Sequence, residues 1–254
     1  QTAAAAEGVK VHREQLKLQR LKSSATPPAY WDARELNDAI PTHRIDVTAE
    51  MNDAIELLMN KTAKPRFHGQ GRDSHGVKFS TFLPVKVWRI ENHQLWRAYT
   101  FRREAIAAAA RARGGARPVT PAIETTLHSV PSGAQLDTSS NEHLLFHGTK
   151  AEAVDTLCNR GFDARVGSLG GLFGAGCYFA ENSSKSDEYV PPGGKQFMFL
   201  SRVVLGTPFV TPKKHSNLRR PPCVQGHFDK GPPCGHERLD SVMATTKAMD
   251  PNSW

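Results

Sequence analysis

Residues 145–150 read LFHGTK, and residues 171–189 read GLFGAGCYFAENSSKSDEY. In the first stretch the apolar run HLLF has the character of a short buried strand, and it delivers His147 straight into Gly148. The residues that follow, GTKAEAVDTLCNRGF, predict a helix with Ala153, Val154 and Leu157 facing inward and Gly161 at its end. A strand that runs into His-Gly and a helix start sets an imidazole and backbone N–H groups at its terminus, where polar and anionic ligands are held. The competing reading is a core histidine bonded to a neighbouring carbonyl. In the second stretch, glycines 167, 170, 171, 174 and 176 let the chain drape over a ligand before an expected strand, CYFA. Glycines of the Rossmann and P-loop patterns link a strand to a helix; these precede a strand, so both patterns are rejected. ENSSKSDEY then predicts a helix with a polar edge carrying Lys185, and KQFMFLSRVVLG a long buried strand closed by Gly206.

Working outward toward the amino terminus, Met51, Ala54, Ile55 and Leu58 fall at helical spacing behind Thr48, the expected N-cap. A polar loop, GQGRDSHG, leads to FSTFLPVKVWRI, an expected strand. Asn92 is expected to cap HQLWRAYTFRREAI, with Leu95, Trp96, Tyr99 and Ile106 on one face and the arginines on the other. The segment AAAARARGGARPVTPA reads as a surface excursion. Residues 1–40, with a basic stretch HREQLKLQRLK and the helix-breaking SSATPPAYWD, read as a leader or linker, and residues 41–254 as one domain.

Composition bounds the function. A chain of 254 residues with 39% hydrophobic content is long enough to bury a core, and no stretch reaches the ~20 apolar residues of a membrane span. Four cysteines, widely scattered, do not make a disulfide framework, so a reducing intracellular setting, nuclear or cytoplasmic, is expected. The net charge of +8 favours acidic partners, nucleic acid among them, but no run alternates basic and aromatic residues as a single-strand groove does.

Three motifs in order, FHGT, FGAGCYFAENSSKSDEY and MFLSRVVLGTPF, resemble the catalytic domain of the poly(ADP-ribose) polymerase family. VWRIENHQLWRAYTFRREAI is similar to the strand and helix that open that domain, so the likeness runs from about residue 80 to the end, with 41–80 joined to it. The resemblance implies an α+β fold, the ADP-ribosyltransferase fold: a split β-sandwich of two antiparallel sheets flanked by helices, here without its last strands. It implies NAD as substrate, bound in a cleft between the sheets, and transfer of ADP-ribose to an acceptor macromolecule, protein or nucleic acid, with release of nicotinamide. The rival reading is a catalytically inactive NAD-binding or protein-interaction module of the same fold.

By the same resemblance, His147 bonds a ribose hydroxyl from an open cleft, and the main chain of Gly148 with the hydroxyl of Ser186 clamps the nicotinamide amide. Tyr178 and Tyr189 line the ring's faces, Lys185 lies near the ribose and the nucleophile, and Thr149 near the adenosine ribose. The glutamate of the family's His-Tyr-Glu triad has no counterpart here, since Glu188 and Glu237 occupy other motif contexts; mono-transfer, polymerisation and inactivity all stay open. Residues 217–254 read as the family's variable loop. Within it Cys223, His227, Cys234 and His236 form C-x3-H-x6-C-x-H, four ligands of the type zinc takes. The C-x-H pair is tight for chelation, so an exposed loop is the expectation and zinc the lesser alternative. Cys158 and Cys177 carry no base-orienting motif that would make either a nucleophile.

Overall fold

The structure is a computed structural model, and it describes residues 26–33, 42–64, 80–120, 122–127, 135–166, 171–228 and 234–245. The basic stretch HREQLKLQRLK, the loop GQGRDSHG, and glycines 167 and 170 lie outside the described residues.

Strand β1 (Thr42–Asp46) leads into helix α1 (Thr48–Thr62). Thr48 is the helix's first residue and does not cap it; Val47 holds the cap position without a side-chain bond. The threonine hydroxyl is drawn elsewhere: it donates to Asp46 Oδ1 at 2.6 Å and accepts the Val87 N–H at 3.0 Å. The expected strand over 79–90 contracts to β2 (Trp88–Asn92), antiparallel to β1 with Thr42 opposite Asn92. The reason is local. Pro84 has no N–H for a ladder, and the Asn60 side chain accepts the Phe82 N–H at 2.9 Å while donating to the Phe82 carbonyl at 3.0 Å. Those backbone groups are satisfied by α1 and need no neighbouring strand.

Asn92 caps helix α2 (His93–Ala112) as expected, its Oδ1 accepting the Leu95 N–H at 3.0 Å. The alanine run expected as a surface excursion continues this helix. Alanine is the best helix former, and Ala107 and Ala110 are buried against the body of the protein. Nor do all the arginines face away: the Arg103 guanidinium comes within 3.7 Å of the Glu142 carboxylate and lies over the Trp96 ring.

The motif-bearing half is built on β3 (Glu142–Thr149) and β4 (Phe197–Val204), antiparallel with Glu142 opposite Val204 and Thr149 opposite Phe197. Between them come α3 (Ala151–Arg160) and the short α4 (Ser183–Asp187). β4 is half-buried along its whole length rather than fully buried. Of the expected strand CYFA, only Ala180 pairs, in an isolated antiparallel bridge to Phe146. β5 (Pro208–Thr211) and β6 (Ser241–Ala244) pair in parallel. The described strands thus form three two-stranded ladders, two antiparallel and one parallel, where two antiparallel sheets were expected. The long excursion between Thr211 and Ser241 supplies the crossover that parallel pairing requires.

The apolar core gathers Ile123, Leu145 and Leu205, with Phe179, Val203 and Met243 packed on it. A hollow of about 1980 Å³ separates β2 and α2 from the outer side of β4, and Trp88 stacks on Phe197 along it at 6.5 Å. Residues 26–33 dock on the β2–α2 junction: Trp31 packs edge-on to His93, and the Glu91 carboxylate accepts the N–H groups of Asp32 and Ala33 at 2.9 and 2.7 Å. Glu91 is fully buried, and Arg89 neutralises it at 2.7 Å.

A second buried carboxylate starts β3. Glu142 accepts from Tyr99 Oη at 2.6 Å, from Arg202 Nε at 2.8 Å and from the Asp137 N–H at 2.7 Å. Burial alone would raise its pKa, but these donors and the Arg202 charge outweigh it and hold the carboxyl below its ordinary value. Tyr99, largely desolvated beside that negative charge, is pushed the opposite way.

Candidate active site

The site forms where the end of β3, the glycine-rich stretch and α4 meet. Strand alternation sets its first element. The N–H and C=O of Phe146 face away from β4 and bond Ala180 at 2.8 and 2.9 Å. Two residues on, the N–H and C=O of Gly148 face that same edge. The pairing does not extend to them, because the bridge at Ala180 is isolated and the Tyr178 carbonyl turns instead to His147 Nδ1, which donates to it at 2.7 Å. One donor and one acceptor of the backbone are thereby presented side by side at an open strand edge.

That hydrogen bond also decides the state of His147. A carbonyl can only accept, so Nδ1 carries the proton, and in the neutral ring Nε2 is a lone-pair acceptor. Burial lowers the imidazole pKa, against the Tyr178 carbonyl, which raises it. The ring is not in an open cleft as expected. It is half-buried, edge-on to Phe162 at 4.9 Å and tilted against Phe179 at 5.5 Å. The core-histidine reading therefore describes Nδ1 and the ring faces, while Nε2 carries no hydrogen bond among the described residues.

Tyr178 is held by its hydroxyl, which donates to the Gly174 carbonyl at 2.7 Å and accepts the Phe173 N–H at 3.0 Å. A side chain at Gly171 would overlap this hydroxyl. The glycines expected to drape over a ligand thus wrap the tyrosine, and the residue stays 38% exposed. Tyr189 is exposed as well, with Lys185 Nζ over its ring at 5.4 Å. Lys185 also pairs with Glu188 at 2.6 Å, a buried carboxylate whose Oε1 has no partner among the described residues.

The polar run before Lys185 explains how α4 is fixed. Asn182 Nδ2 donates to the Thr62 carbonyl at 3.0 Å, Ser183 Oγ to the Met59 carbonyl at 2.6 Å, and Ser184 Oγ accepts the Lys64 N–H at 3.0 Å. The Thr62 carbonyl, at the end of α1 where helical donors run out, is satisfied by α4, and the Met59 carbonyl takes the Ser183 hydroxyl in addition to the Ala63 N–H. Ser186 then sits buried behind Gly148, so close that a Cβ at Gly148 would overlap the Ser186 carbonyl oxygen and fall 2.9 Å from Val190 Cγ2. Thr149, the last residue of β3, is buried opposite Phe197. His147, Gly148 and Tyr178 are joined by the strand edge, and Lys185, Ser186 and Tyr189 by α4. The partners that sequence reasoning missed are Phe162 and Phe179, which reach His147 only through the fold; Glu188, set aside as a triad glutamate, pairs instead with Lys185 three residues before it.

Residues 69–231 match the family model described as the poly(ADP-ribose) polymerase catalytic domain. The chain belongs to that family. It is 31% identical over 210 residues to mouse protein mono-ADP-ribosyltransferase PARP12, covering 82% of this chain and 23% of that protein. To human PARP12 it is 27% identical, over 78% of this chain and 22% of the relative. To mouse protein mono-ADP-ribosyltransferase PARP11 it is 26% identical, over 76% of this chain and 56% of the relative. The chain thus spans under a quarter of PARP12 and somewhat over half of PARP11. Family membership carries with it the ADP-ribosyltransferase fold and NAD as the substrate on which such domains act. No helix among the described residues is long and apolar enough to cross a membrane.

The remaining sequence candidates take no part in the contacts just described. Cys223, His227, Cys234 and His236 come together, with their ligand atoms all within 4.8 Å of one another. Cys158 is buried on α3 and Cys177 is half-buried, and burial raises the pKa of both thiols, which disfavours the nucleophilic thiolate.

Proposed function

We propose that this chain transfers ADP-ribose from NAD to a protein acceptor and releases nicotinamide. The observation that carries this reading is the His147–Tyr178 hydrogen bond, which leaves Nε2 as an acceptor beside the open N–H and C=O of Gly148. A carboxamide has one donor and one acceptor group in a plane, and it complements a strand edge as another strand would. On this reading the nicotinamide amide pairs with Gly148 and is backed by Ser186, while the exposed rings of Tyr178 and Tyr189 supply aromatic faces for the pyridinium. His147 Nε2 accepts a hydrogen bond from a ribose hydroxyl and orients the sugar.

The bond that breaks joins the ribose anomeric carbon to the ring nitrogen of nicotinamide. Its electron pair goes to the nicotinamide, which leaves neutral, and positive charge develops on the ribose as in glycoside hydrolysis. The acceptor nucleophile forms the new bond to that carbon and gives up its proton. The enzyme's task is to hold the two halves of NAD while the bond lengthens, a contribution of orientation worth several kcal/mol. The PARP11 and PARP12 relatives carry the name mono-ADP-ribosyltransferase, and this favours transfer of one unit.

The test is nicotinamide release and acceptor labelling from labelled NAD, with calorimetry of a nicotinamide analogue on the same preparation. Binding with release and labelling is the expected result. Binding without release would replace this reading by the inactive NAD-binding module, and absence of binding at millimolar analogue would overturn the site.

A further inference from the structure

The four residues Cys223, His227, Cys234 and His236 are brought together by a hairpin that nothing in ADP-ribosyl transfer requires. Its arms pair at the Cys223–Arg238 bridge, with the Val224 N–H on the Glu237 carbonyl at 2.9 Å and the Leu239 N–H on the Pro222 carbonyl at 3.0 Å. On the first arm the chain folds back within five residues: the Gly226 N–H reaches the Cys223 carbonyl at 2.8 Å, and the Cys223 N–H the His227 carbonyl at 3.1 Å. The His227 N–H also points at Cys223 Sγ, at 3.3 Å. Backbone N–H donors of this kind stabilise a metal-bound thiolate and fix its direction.

On the second arm Cys234 and His236 flank Gly235, and this resolves the objection that C-x-H is too tight to chelate. In an extended strand, residues two apart project on the same face about 7 Å apart. Gly235 has φ +68°, a conformation that bends the arm so the two side chains converge on the pair opposite. The outcome is two sulfurs and two imidazole nitrogens within 4.8 Å of one another. Ligands 2.0–2.3 Å from a tetrahedral zinc stand roughly 3.3–3.8 Å apart, so small side-chain rotations close the set.

We propose that Cys223, His227, Cys234 and His236 form a structural zinc site that staples this hairpin. The donor set selects the metal: thiolates and imidazoles suit zinc, whereas calcium and magnesium take oxygen ligands. Two thiolates neutralise the dication. Four protein ligands close the coordination sphere, as in structural sites, leaving no position for substrate.

Of the four candidate ligands in this hairpin only Cys223 is buried, while His227 and His236 are exposed. Its first arm continues into Phe228, which stacks on His215 at 5.2 Å, and the 215–218 segment grips the loop around Tyr178. There the His215 N–H bonds the Leu172 carbonyl and the Ala175 N–H the Leu218 carbonyl, both at 2.8 Å. The staple therefore lies two contacts behind the wall of the active site.

The experiment measures zinc by mass spectrometry in the full chain purified without chelator, then follows cobalt substitution by absorption. About one equivalent of zinc per chain is expected, with intense visible bands of tetrahedral cobalt and a thiolate-to-cobalt charge-transfer band. Cys234→Ser and His236→Ala should each cut bound zinc to about a tenth or less while cooperative unfolding persists, because neither residue is in the core. Should a variant fail to fold, the cobalt spectrum of the unaltered chain still decides. The proposal is overturned by a chain that takes up neither metal tetrahedrally, by zinc that survives both substitutions, or by a Cys223–Cys234 disulfide in protein prepared under reducing conditions.

Discussion

Gly148 and Ser186 meet backbone to backbone: a Cβ on the glycine would overlap the carbonyl oxygen of the serine. The obstacle is main chain and cannot rotate aside, so Gly148→Ala must push α4 away from β3. Overpacking of this kind costs about 1–3 kcal/mol. It also separates the two halves of the amide clamp, so affinity for a nicotinamide analogue should fall by more than the stability loss explains. Calorimetry at a temperature where the variant is fully folded makes the comparison. Unchanged affinity there would remove Gly148 and Ser186 from the binding site.

His147 calls for a subtler substitution than alanine. Removing the ring strips contacts from Phe162 and Phe179, so His147→Ala lowers stability as well as activity. His147→Asn keeps an N–H near the position of Nδ1, able to donate to the Tyr178 carbonyl, and deletes the Nε2 acceptor. The transfer rate should drop by about 10²-fold, the scale of a lost orienting contact. Equal rates for the two proteins would show that Nε2 has no part in the reaction.

The same histidine gives a pH prediction with a definite sign. Its folded pKa lies below 6.5 because burial disfavours the cation. Above the unfolded value both states are neutral and the group is silent. As pH falls below 6.5 the unfolded chain takes up the proton first, so stability declines toward the folded pKa. Denaturant titrations of the native protein and His147→Asn across that interval should converge on acidification; parallel curves would contradict the shift.

What the sequence made legible was local. FHGT, the capping Asn92 and the polar face of ENSSKSDEY each carry their meaning within a few residues, and the structure has a strand that carries His-Gly to its last residue, Thr149, a capped α2 and a docked α4 at those positions. What escaped was decided at a distance. CYFA has strand composition, yet it makes one bridge because the groups of Tyr178 are claimed by His147 and by the glycine loop. FSTFLPV has strand composition too, but a single asparagine on α1 satisfies Phe82. Spacing alone does not show that the two cysteines and two histidines converge, because it does not reveal that Gly235 bends the arm.

Glu142 shows the same limit for stability. Its role follows from Tyr99, Arg202 and Arg103, which lie far from it in the chain. Glu142→Ala should destabilise by about 3 kcal/mol, because it leaves the largely desolvated Arg202 guanidinium without its counter-charge. The folded carboxyl has a depressed pKa, so its contribution is complete above the ordinary carboxylate range and is lost as pH falls through the folded value. The gap between native protein and variant in chemical denaturation should therefore be wide at neutral pH and narrow in acid. A gap independent of pH would assign the loss to packing alone.

Tyr178→Phe isolates the hydroxyl from the ring. The aromatic face remains, and what goes are the bonds to the Gly174 carbonyl and the Phe173 N–H. Each is worth about 0.5–1.5 kcal/mol. Those bonds close the 171–176 loop over the tyrosine, while Leu218 holds the same loop from the other side through Ala175. The variant should accordingly exchange amide hydrogens faster at Phe173 and its neighbours, with β3 and β4 unaffected, and bind a nicotinamide analogue more weakly. If exchange quickens and binding does not change, the hydroxyl serves only the loop, and the tyrosine's part in the site rests on its exposed ring.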